Sequence, residues 1–187
     1  MFDAQCDFAA LVYGEEDRPD SLLVDFARDL RRSGFHPAGI IQLGRNCQLI
    51  DRRLDVVVFP RDEVVAVIHV PACKSTGCRL DTRHLASVAT EIATAVQKDA
   101  DLVIINRFGK LEAEGQGLIA LIKQAVSAEV PVLAAVPVRH FAKLLKFSAG
   151  MNVRLPCCRP ALDRWWCSVA RGPAMRKYAS TFCEIAK

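Results

Sequence analysis

Short apolar runs alternate along this chain with longer segments in which apolar positions recur at helical spacing. The first run, Phe8–Tyr13, is predicted to be a strand that stops at Gly14. After a polar loop, Ser21 is placed to cap a helix, and Gly34 suits the position just past the end of that helix. A second apolar run, Ala38–Gln42, completes a strand–helix–strand unit with a right-handed crossover.

Two β-branched runs, Leu54–Phe59 and Val64–Val70, come next, and the short polar turn between them predicts a β-hairpin near 54–70. The chain then returns to the alternating pattern. The further predicted elements are a helix from about Thr82 to Lys98, a strand at Leu102–Ile105, a helix from Leu118 to Val126 and a strand at Val132–Val136.

Taken together, these elements favour one fold class. Strands that are apolar throughout and alternate with amphipathic helices are typical of a parallel sheet covered by helices on both faces. We therefore predict a single α/β domain over residues 1–187, built as a three-layer sandwich with a mostly parallel sheet and the hairpin. The segment 137–187, which contains Trp165–Trp166, is predicted to be helical and to pack on this domain.

Composition and charge exclude several functions. The chain has 187 residues, of which 51% are hydrophobic, and a formal net charge of +4. It has no basic stripe with interleaved aromatic residues, which argues against a nucleic-acid partner. No apolar stretch approaches the roughly 18 residues of a membrane span, so membrane insertion is not expected. The stretch Met1–Tyr13 carries an acid where a signal peptide would carry basic residues, which predicts a cytoplasmic protein.

Ligands of open parallel sheets bind beyond the carboxyl ends of the strands. The corresponding loops here are 14–20, 42–47, 71–81, 106–117 and 137–140, and their cations and acids suit a small anion or a phosphorylated ligand. Surface loops are also charged without binding anything, and this alternative applies to each residue. The candidate binding residues are Arg18, Ser21, Cys78, Arg79, Asp81, Asn106, Arg107, Lys110, Glu112 and Glu114.

The first of these loops, GEEDRPDS, stands where a phosphate-binding P-loop would lie. A P-loop needs glycines, so that backbone N–H groups can surround phosphates, and a Lys followed by Ser or Thr. This loop has one Gly, several acids and no Lys, so it is not expected to hold a triphosphate. Arg18 and the helix start at Ser21 can still hold a smaller anion.

The strand at Leu102–Ile105 ends in Asn106 and Arg107, where a phosphate-hydrolysing protein would carry acids to hold magnesium. An amide and a cation make this corner tolerant of anions, and Arg can bind an oxyanion through two parallel hydrogen bonds. Glu112 and Glu114 are able to bind a cation or to serve as acid and base. Alternatively, they only favour the start of the following helix, or Arg107 pairs with one of them and ties the loop together.

Eight cysteines offer a further kind of site. The candidate metal ligands are Cys73 and Cys78, which are five positions apart, and the adjacent pair Cys157–Cys158. Cys78 lies close to Lys74 and Arg79 and shortly before a helix, which would lower its pKa and suit a redox sensor. The spacing is a weak indicator of zinc. Buried or idle thiols are the alternative for all of these cysteines.

Three stretches of this chain resemble a bacterial family that is catalogued as a domain of unknown function. They are GCRLD (Gly77–Asp81), NRFGKLEAEGQGL (Asn106–Leu118) and PVLAAV (Pro131–Val136). The resemblance extends from about Ala9 to Trp166. Members of that family are often labelled molybdenum ABC transporter ATP-binding proteins or nucleoside-triphosphatase-like proteins. The resemblance implies the fold of the P-loop nucleoside triphosphatases first described from thermophiles.

The chain departs from the catalytic relatives at two places that carry their chemistry. Asn106–Arg107 stands where those relatives have Asp-Glu, and GEEDRPDS stands where they have a full Walker A loop. Gly109, Lys110 and Glu112 do match the Gly-Lys-x-Glu pattern of the relatives. The resemblance therefore implies the fold, together with a link to molybdate or another oxyanion.

These observations predict a non-hydrolysing accessory protein that binds a small anion or a nucleotide-like ligand, with a link to molybdate or metal homeostasis. One alternative is a divergent nucleoside triphosphatase in which Asp81, Glu112 and Glu114 assemble a metal site. The other is a cysteine-based metal-binding or redox-sensing protein. An oxyanion or a nucleotide is the expected ligand, zinc is less favoured as a cofactor, and a homodimer formed through the C-terminal helices stays open.

Overall fold

The structure, a computed structural model, describes residues 7–43, 53–71, 78–80 and 82–170 of the chain. The strands within these ranges are β1 (Phe8–Tyr13), β2 (Pro37–Leu43), β3 (Arg53–Phe59), β4 (Glu63–Pro71), β5 (Cys78–Leu80), β6 (Leu102–Asn106), β7 (Val132–Pro137) and β8 (Val153–Pro156). The helices are α1 (Pro19–Arg32), α2 (Thr82–Lys98), α3 (Lys110–Ala113), α4 (Ile119–Ser127), α5 (Phe141–Phe147) and α6 (Arg159–Val169).

The described strands form one sheet in the order β5-β4-β3-β2-β6-β7-β1-β8. The five strands β2, β6, β7, β1 and β8 are parallel to one another, whereas β2–β3, β3–β4 and β4–β5 are antiparallel pairs. The β3–β4 pair is the predicted hairpin. The mostly parallel α/β fold predicted from the sequence is therefore confirmed. The carboxyl ends of the parallel strands all lie on the same side of the sheet; these strands are β2, β6, β7, β1 and β8.

Helices cover both faces of the sheet, and each fully buried strand contributes to two cores because its side chains point alternately to the two faces. On β1, Ala10 and Val12 belong to a core with α2, α4 and α5, whereas Ala9 and Leu11 face a second core. That second core is completed by α1 and α6, where buried Trp166 meets the Phe35 ring edge-on, with 5.1 Å between the ring centroids. Among the described helices, none combines the length and apolarity that crossing a membrane requires.

The N-cap of helix α1 lies three residues earlier than the sequence predicted, and Ser21 is not the N-cap. Arg18 occupies that position, and Pro19 is the first helical residue. Proline suits that place because its fixed φ matches the helix and its missing N–H would have had no partner. Ser21 therefore lies inside the first turn, where its hydroxyl donates to the Arg18 carbonyl at 3.3 Å. Gly34 lies just past the helix end with φ +94°, as predicted.

Three short elements were not predicted. Strand β5 lies within the predicted 71–81 loop, and α3 lies within the predicted acidic loop. The segment 137–170, predicted to be helical, contains α5 and α6 but also β8, which pairs with β1. Only Leu155 of β8 is buried, because β8 is an edge strand of the sheet. A four-residue strand with one buried side chain leaves little periodic pattern in the sequence.

Candidate functional site

The end of β6 is tied to its neighbours on both sides. Asn106 is buried, and its side-chain amide donates to the Gln42 carbonyl of β2 at 3.3 Å. The following peptide bond, to Arg107, is cis. Phe108 then donates its backbone N–H to the Ala135 carbonyl of β7 at 2.9 Å, and its ring is fully buried. An aspartate cannot donate a hydrogen bond as Asn106 does, so the amide is suited to hold this strand end.

Glu112 organises the loop after β6 from the inside. Its carboxylate is buried and accepts hydrogen bonds from the Gly109 N–H at 2.9 Å and the Leu118 N–H at 3.2 Å. Gly117 has φ +62°, and a Cβ placed there would overlap the Glu112 carboxylate. The loop is therefore folded around this one side chain, with a glycine where the carboxylate passes closest.

The other charged residues in and directly after α3, Lys110 and Glu114, are exposed. Lys110 is 78% exposed, and its Nζ lies 3.9 Å from a carboxylate oxygen of Glu114. An exposed pair of this kind contributes little to stability. Arg107 forms no ion pair with Glu112 or Glu114 among the described residues, so the alternative in which Arg107 ties its loop together is wrong.

Arg107 instead belongs to a group of cations at the ends of β6 and β7. Its Nε is buried without a hydrogen-bond partner in the described part of the chain, and the same holds for the Nδ1 of His140. His140 closes the 3-10 turn Val138–His140 after β7. Burial lowers the pKa of His140 below its usual 6.5, and the positive charges of Arg139, Lys143 and Arg107 lower it further. We refer to these four residues as the β6–β7 cationic group.

The first loop presents a carboxylate at the end of β1. The Gly14 N–H donates to a carboxylate oxygen of Asp17 at 2.7 Å. In a P-loop, backbone N–H groups of this kind are directed at phosphate, and here Asp17 takes that place for Gly14. Asp17 and Arg154 also line an open cleft of about 550 Å³, together with Cys157 and Cys158.

The two described free thiols are those of Cys157 and Cys158. Burial raises the pKa of Cys157 to about 11, and the negative charge of Asp17 adds to this effect. The Cys157 thiol is therefore protonated near neutral pH, whereas metal ions bind the thiolate. Cys167 takes part in a disulfide bond. In the ranges that the structure describes, no three His, Cys, Asp or Glu side chains are grouped as a metal site.

The predicted four-cysteine metal site requires Cys78 to meet Cys157 and Cys158. Cys78 begins β5, at the opposite edge of the sheet from β8, which the Cys157–Cys158 pair follows. Seven strand spacings of about 4.8 Å separate the two edges, or roughly 34 Å. One ion cannot bridge that distance, so the combination of Cys78 with Cys157 and Cys158 is wrong. Cys73 lies outside the described residues.

Three comparisons place the chain among known proteins. Residues 8–165 match the family model described as "Protein of unknown function (DUF2478)". The chain belongs to the DUF2478 family. Over 162 residues it is 35% identical to the Molybdenum import ATP-binding protein ModC 2 of Bradyrhizobium diazoefficiens. That match covers 84% of this chain but only 18% of the longer relative.

A solved structure identifies the fold of this DUF2478 chain. The crystal structure of THEP1 from the hyperthermophile Aquifex aeolicus matches with a TM-score of 0.59 and 16% sequence identity. The match covers 80% of this chain and 89% of the THEP1 chain. The DUF2478 chain therefore has a P-loop-NTPase-like fold, and the family resemblance predicted from the sequence is confirmed.

The predicted binding residues fall into separate places in this DUF2478 chain. Asn106, Arg107, Lys110, Glu112 and Glu114 lie at or after the end of β6. Arg18 and Ser21 start α1, after β1. Cys78 and Arg79 lie on β5, which is four strands from β6, or roughly 19 Å. Asp81 lies outside the described residues.

Arg139, His140 and Lys143 were missing from the predicted set of binding residues, although the loop 137–140 was among those expected to bind a ligand. The available signal was the pair Arg139–His140 shortly after the strand at Val132–Val136. This signal can be read only when the pairing of β6 with β7 is known, because that pairing brings Arg139 and His140 close to Arg107.

Proposed function

We propose that this protein binds a small oxyanion at the β6–β7 cationic group and does not hydrolyse nucleotides. The Arg107 Nε and the His140 Nδ1, both buried and both without a hydrogen-bond partner among the described residues, are the observation that carries the proposal. A buried polar group left without a partner costs about 1–3 kcal/mol. A bound anion would accept hydrogen bonds from both residues and remove that cost.

The charge around these atoms supports an anion rather than a neutral ligand. Arg107, Arg139 and Lys143 come from three different elements and are all near enough to His140 to lower its pKa. Positive charges held together in this way repel each other until an anion lies between them. Arg107 supplies a guanidinium, which suits the geometry of a tetrahedral oxyanion.

Nucleotide hydrolysis requires features that the neighbouring loops do not supply. Catalysis of phosphoryl transfer depends on cradling the phosphates and on a magnesium ion held by acids. The Gly14 N–H is already bound to Asp17, whose carboxylate would repel a triphosphate. At the end of β6, the Asn106 amide donates to a carbonyl instead of presenting acidic oxygens.

Molybdate is the first oxyanion to test. The relative that is 35% identical over 84% of this chain is a molybdenum import ATP-binding protein. The chain spans less than a fifth of that protein's length, so the function of the whole relative cannot be transferred to it. We therefore propose only an accessory role in molybdate handling. Sulfate has the same tetrahedral shape and double charge and serves as the comparison ligand.

A divergent nucleoside triphosphatase is the second candidate, favoured by the P-loop-NTPase-like fold and by the cleft of about 550 Å³ beside the first loop. A phosphorylated nucleoside bound there would contact Asp17 and Arg154. This candidate predicts magnesium-dependent turnover, whereas the oxyanion proposal predicts stoichiometric binding without turnover.

Isothermal titration with molybdate, sulfate and ATP tests the proposal on the full chain. Arg107→Ala should weaken oxyanion binding about tenfold or more, because a hydrogen bond to a charged group contributes about 1.5–3 kcal/mol. Arg164→Ala is the matched control, since Arg164 is exposed on α6 and its loss lowers the net charge equally. Without ligand, neither variant should melt more than about 2 °C below the wild type, because a 1 kcal/mol change shifts the melting temperature by about 2–4 °C at this size and Arg107→Ala removes the cost of the unpartnered Nε.

Two results would contradict the proposal. If no oxyanion binds to the wild-type protein, the β6–β7 cationic group is not a binding site. If Arg107→Ala and Arg164→Ala weaken binding equally, the anion responds to net charge and not to this group.

A further inference from the structure

His140 occupies a place in the β6–β7 cationic group that differs from that of its neighbours. Arg107, Arg139 and Lys143 keep their charge through the physiological pH range, whereas a histidine can gain or lose one there. The His140 ring is partly exposed, but its Nδ1 is buried and has no partner among the described residues. An anion that accepts a hydrogen bond from Nδ1 requires that this nitrogen carries a proton.

The groups that face His140 are cationic on each side for which contacts are described. Arg139 precedes it in the same turn, Lys143 follows on α5, and Arg107 comes from the end of β6. From β8, the Arg154 guanidinium lies over the neighbouring Phe141 ring, 5.1 Å from its centroid.

Helix α3, which contacts α5, contributes no free carboxylate from its described residues. The Glu112 carboxylate accepts two backbone hydrogen bonds, and Lys110 lies beside Glu114. Without a ligand, His140 is therefore surrounded by positive charge and is mainly neutral at pH 7, since burial and these cations lower its pKa.

We propose that the oxyanion binds together with a proton that His140 takes up, so that binding strengthens as the pH falls. This inference rests on the proposed function. A doubly charged anion placed among the cations cancels their repulsion and favours the imidazolium form, which then donates to an anion oxygen from Nδ1. A neutral imidazole can donate from one nitrogen only, so the proton that is taken up gives His140 a second donor and a positive charge beside the anion.

The sign of the pH dependence follows from linkage between proton and anion binding. Below the pKa of free His140, the ring is charged before the anion arrives, and no proton is taken up. Above the pKa of the complex, His140 is neutral in both states. Between these two values binding takes up a proton, and the dissociation constant falls by up to about tenfold for each pH unit of acidification.

Sulfate is the probe, because it stays a dianion throughout the range in which a histidine titrates, whereas phosphate changes its own charge there. Titration calorimetry at fixed ionic strength should show tighter sulfate binding at lower pH. Repeating one intermediate pH in buffers of different ionisation enthalpy should show proton uptake approaching one per anion.

Two histidine variants make the test specific. His140→Gln keeps an amide that can donate a hydrogen bond but cannot titrate, so the affinity for sulfate should become nearly independent of pH. His36→Gln is the control, because His36 is exposed and lies just before β2, outside the β6–β7 cationic group. Its Nδ1 is 3.3 Å from a carboxylate oxygen of Asp101. This variant should keep the wild-type pH profile.

The outcomes separate the inference from the function on which it rests. If sulfate binds with the same affinity at every pH, or if His140→Gln keeps the wild-type pH profile, proton uptake by His140 is overturned while oxyanion binding stands. If neither sulfate nor molybdate binds at any pH, the proposed function fails and the inference fails with it.

Discussion

Arg107 and Glu112 are charged residues of one loop, and their side chains are used in opposite ways. Glu112 turns inward and accepts two backbone hydrogen bonds, whereas Arg107 keeps a buried nitrogen without a partner in the described chain. The sequence predicts both as candidate ligand contacts. A carboxylate whose oxygens already accept backbone N–H groups stabilises the loop, so the proposed anion site relies on Arg107 and not on Glu112.

Glu112→Ala is therefore expected to destabilise the folded protein. The substitution leaves the Gly109 and Leu118 N–H groups without their acceptor, and hydrogen bonds to a charged group are each worth about 1.5–3 kcal/mol. The free energy of unfolding, measured by urea titration, should fall by about 2 kcal/mol or more. Glu114→Ala is the control and should change it by less than about 0.5 kcal/mol, because the Glu114 pair with Lys110 is exposed. Equal effects of the two variants would contradict the structural role of Glu112.

At the scale of elements, the periodicity of apolar residues predicts helices and strands that have several buried positions. The hairpin, the helix Thr82–Lys98 and the strands at β6 and β7 follow directly from it. Short elements escape this reasoning. Only Leu155 of β8 is buried, and α3 has only four residues and an N-cap, Gly109, whose N–H is bound by the Glu112 carboxylate. Pairing with β1 or capping by a buried side chain is tertiary information that local pattern does not contain.

The start of α1 supplies a test of how helix ends are set here. The sequence predicts Ser21 as the N-cap, and loss of an N-cap costs about 0.5–2 kcal/mol. In the structure Ser21 lies inside the first turn, and its hydroxyl only donates to the Arg18 carbonyl at an exposed site. Ser21→Ala should therefore change the free energy of unfolding by less than about 0.5 kcal/mol. A loss above about 1 kcal/mol in urea titration would favour the capping role.

For the whole molecule, the sequence predicts on which side of the sheet a ligand would bind, at the carboxyl ends of the parallel strands, and it indicates Asn106 and Arg107. It does not predict which other residues lie beside these two. The β6–β7 cationic group arises because β7 is paired beside β6, although a helix separates the two strands in the chain. Cys78 was grouped with distant residues for the converse reason, since loops that follow different strands can lie far apart along the sheet.

The whole fold also leads to a prediction about catalysis, because a P-loop-NTPase-like fold does not by itself supply hydrolysis. In the first loop, the Gly14 N–H donates to the Asp17 carboxylate and not to a phosphate. At the end of β6, the Asn106 side-chain amide donates to the Gln42 carbonyl. With magnesium and ATP or GTP, phosphate release should therefore stay at the level of a protein-free blank, while oxyanions still bind. An unrelated active ATPase in the same assay shows that its conditions support turnover. Magnesium-dependent release that persists through purification and is lost in Asp17→Ala would instead show that the first loop supports turnover. Release that is the same in the wild type, Asp17→Ala and Arg107→Ala and that separates from the protein on further purification would point to a contaminating phosphatase. Release that stays with the protein would contradict the prediction.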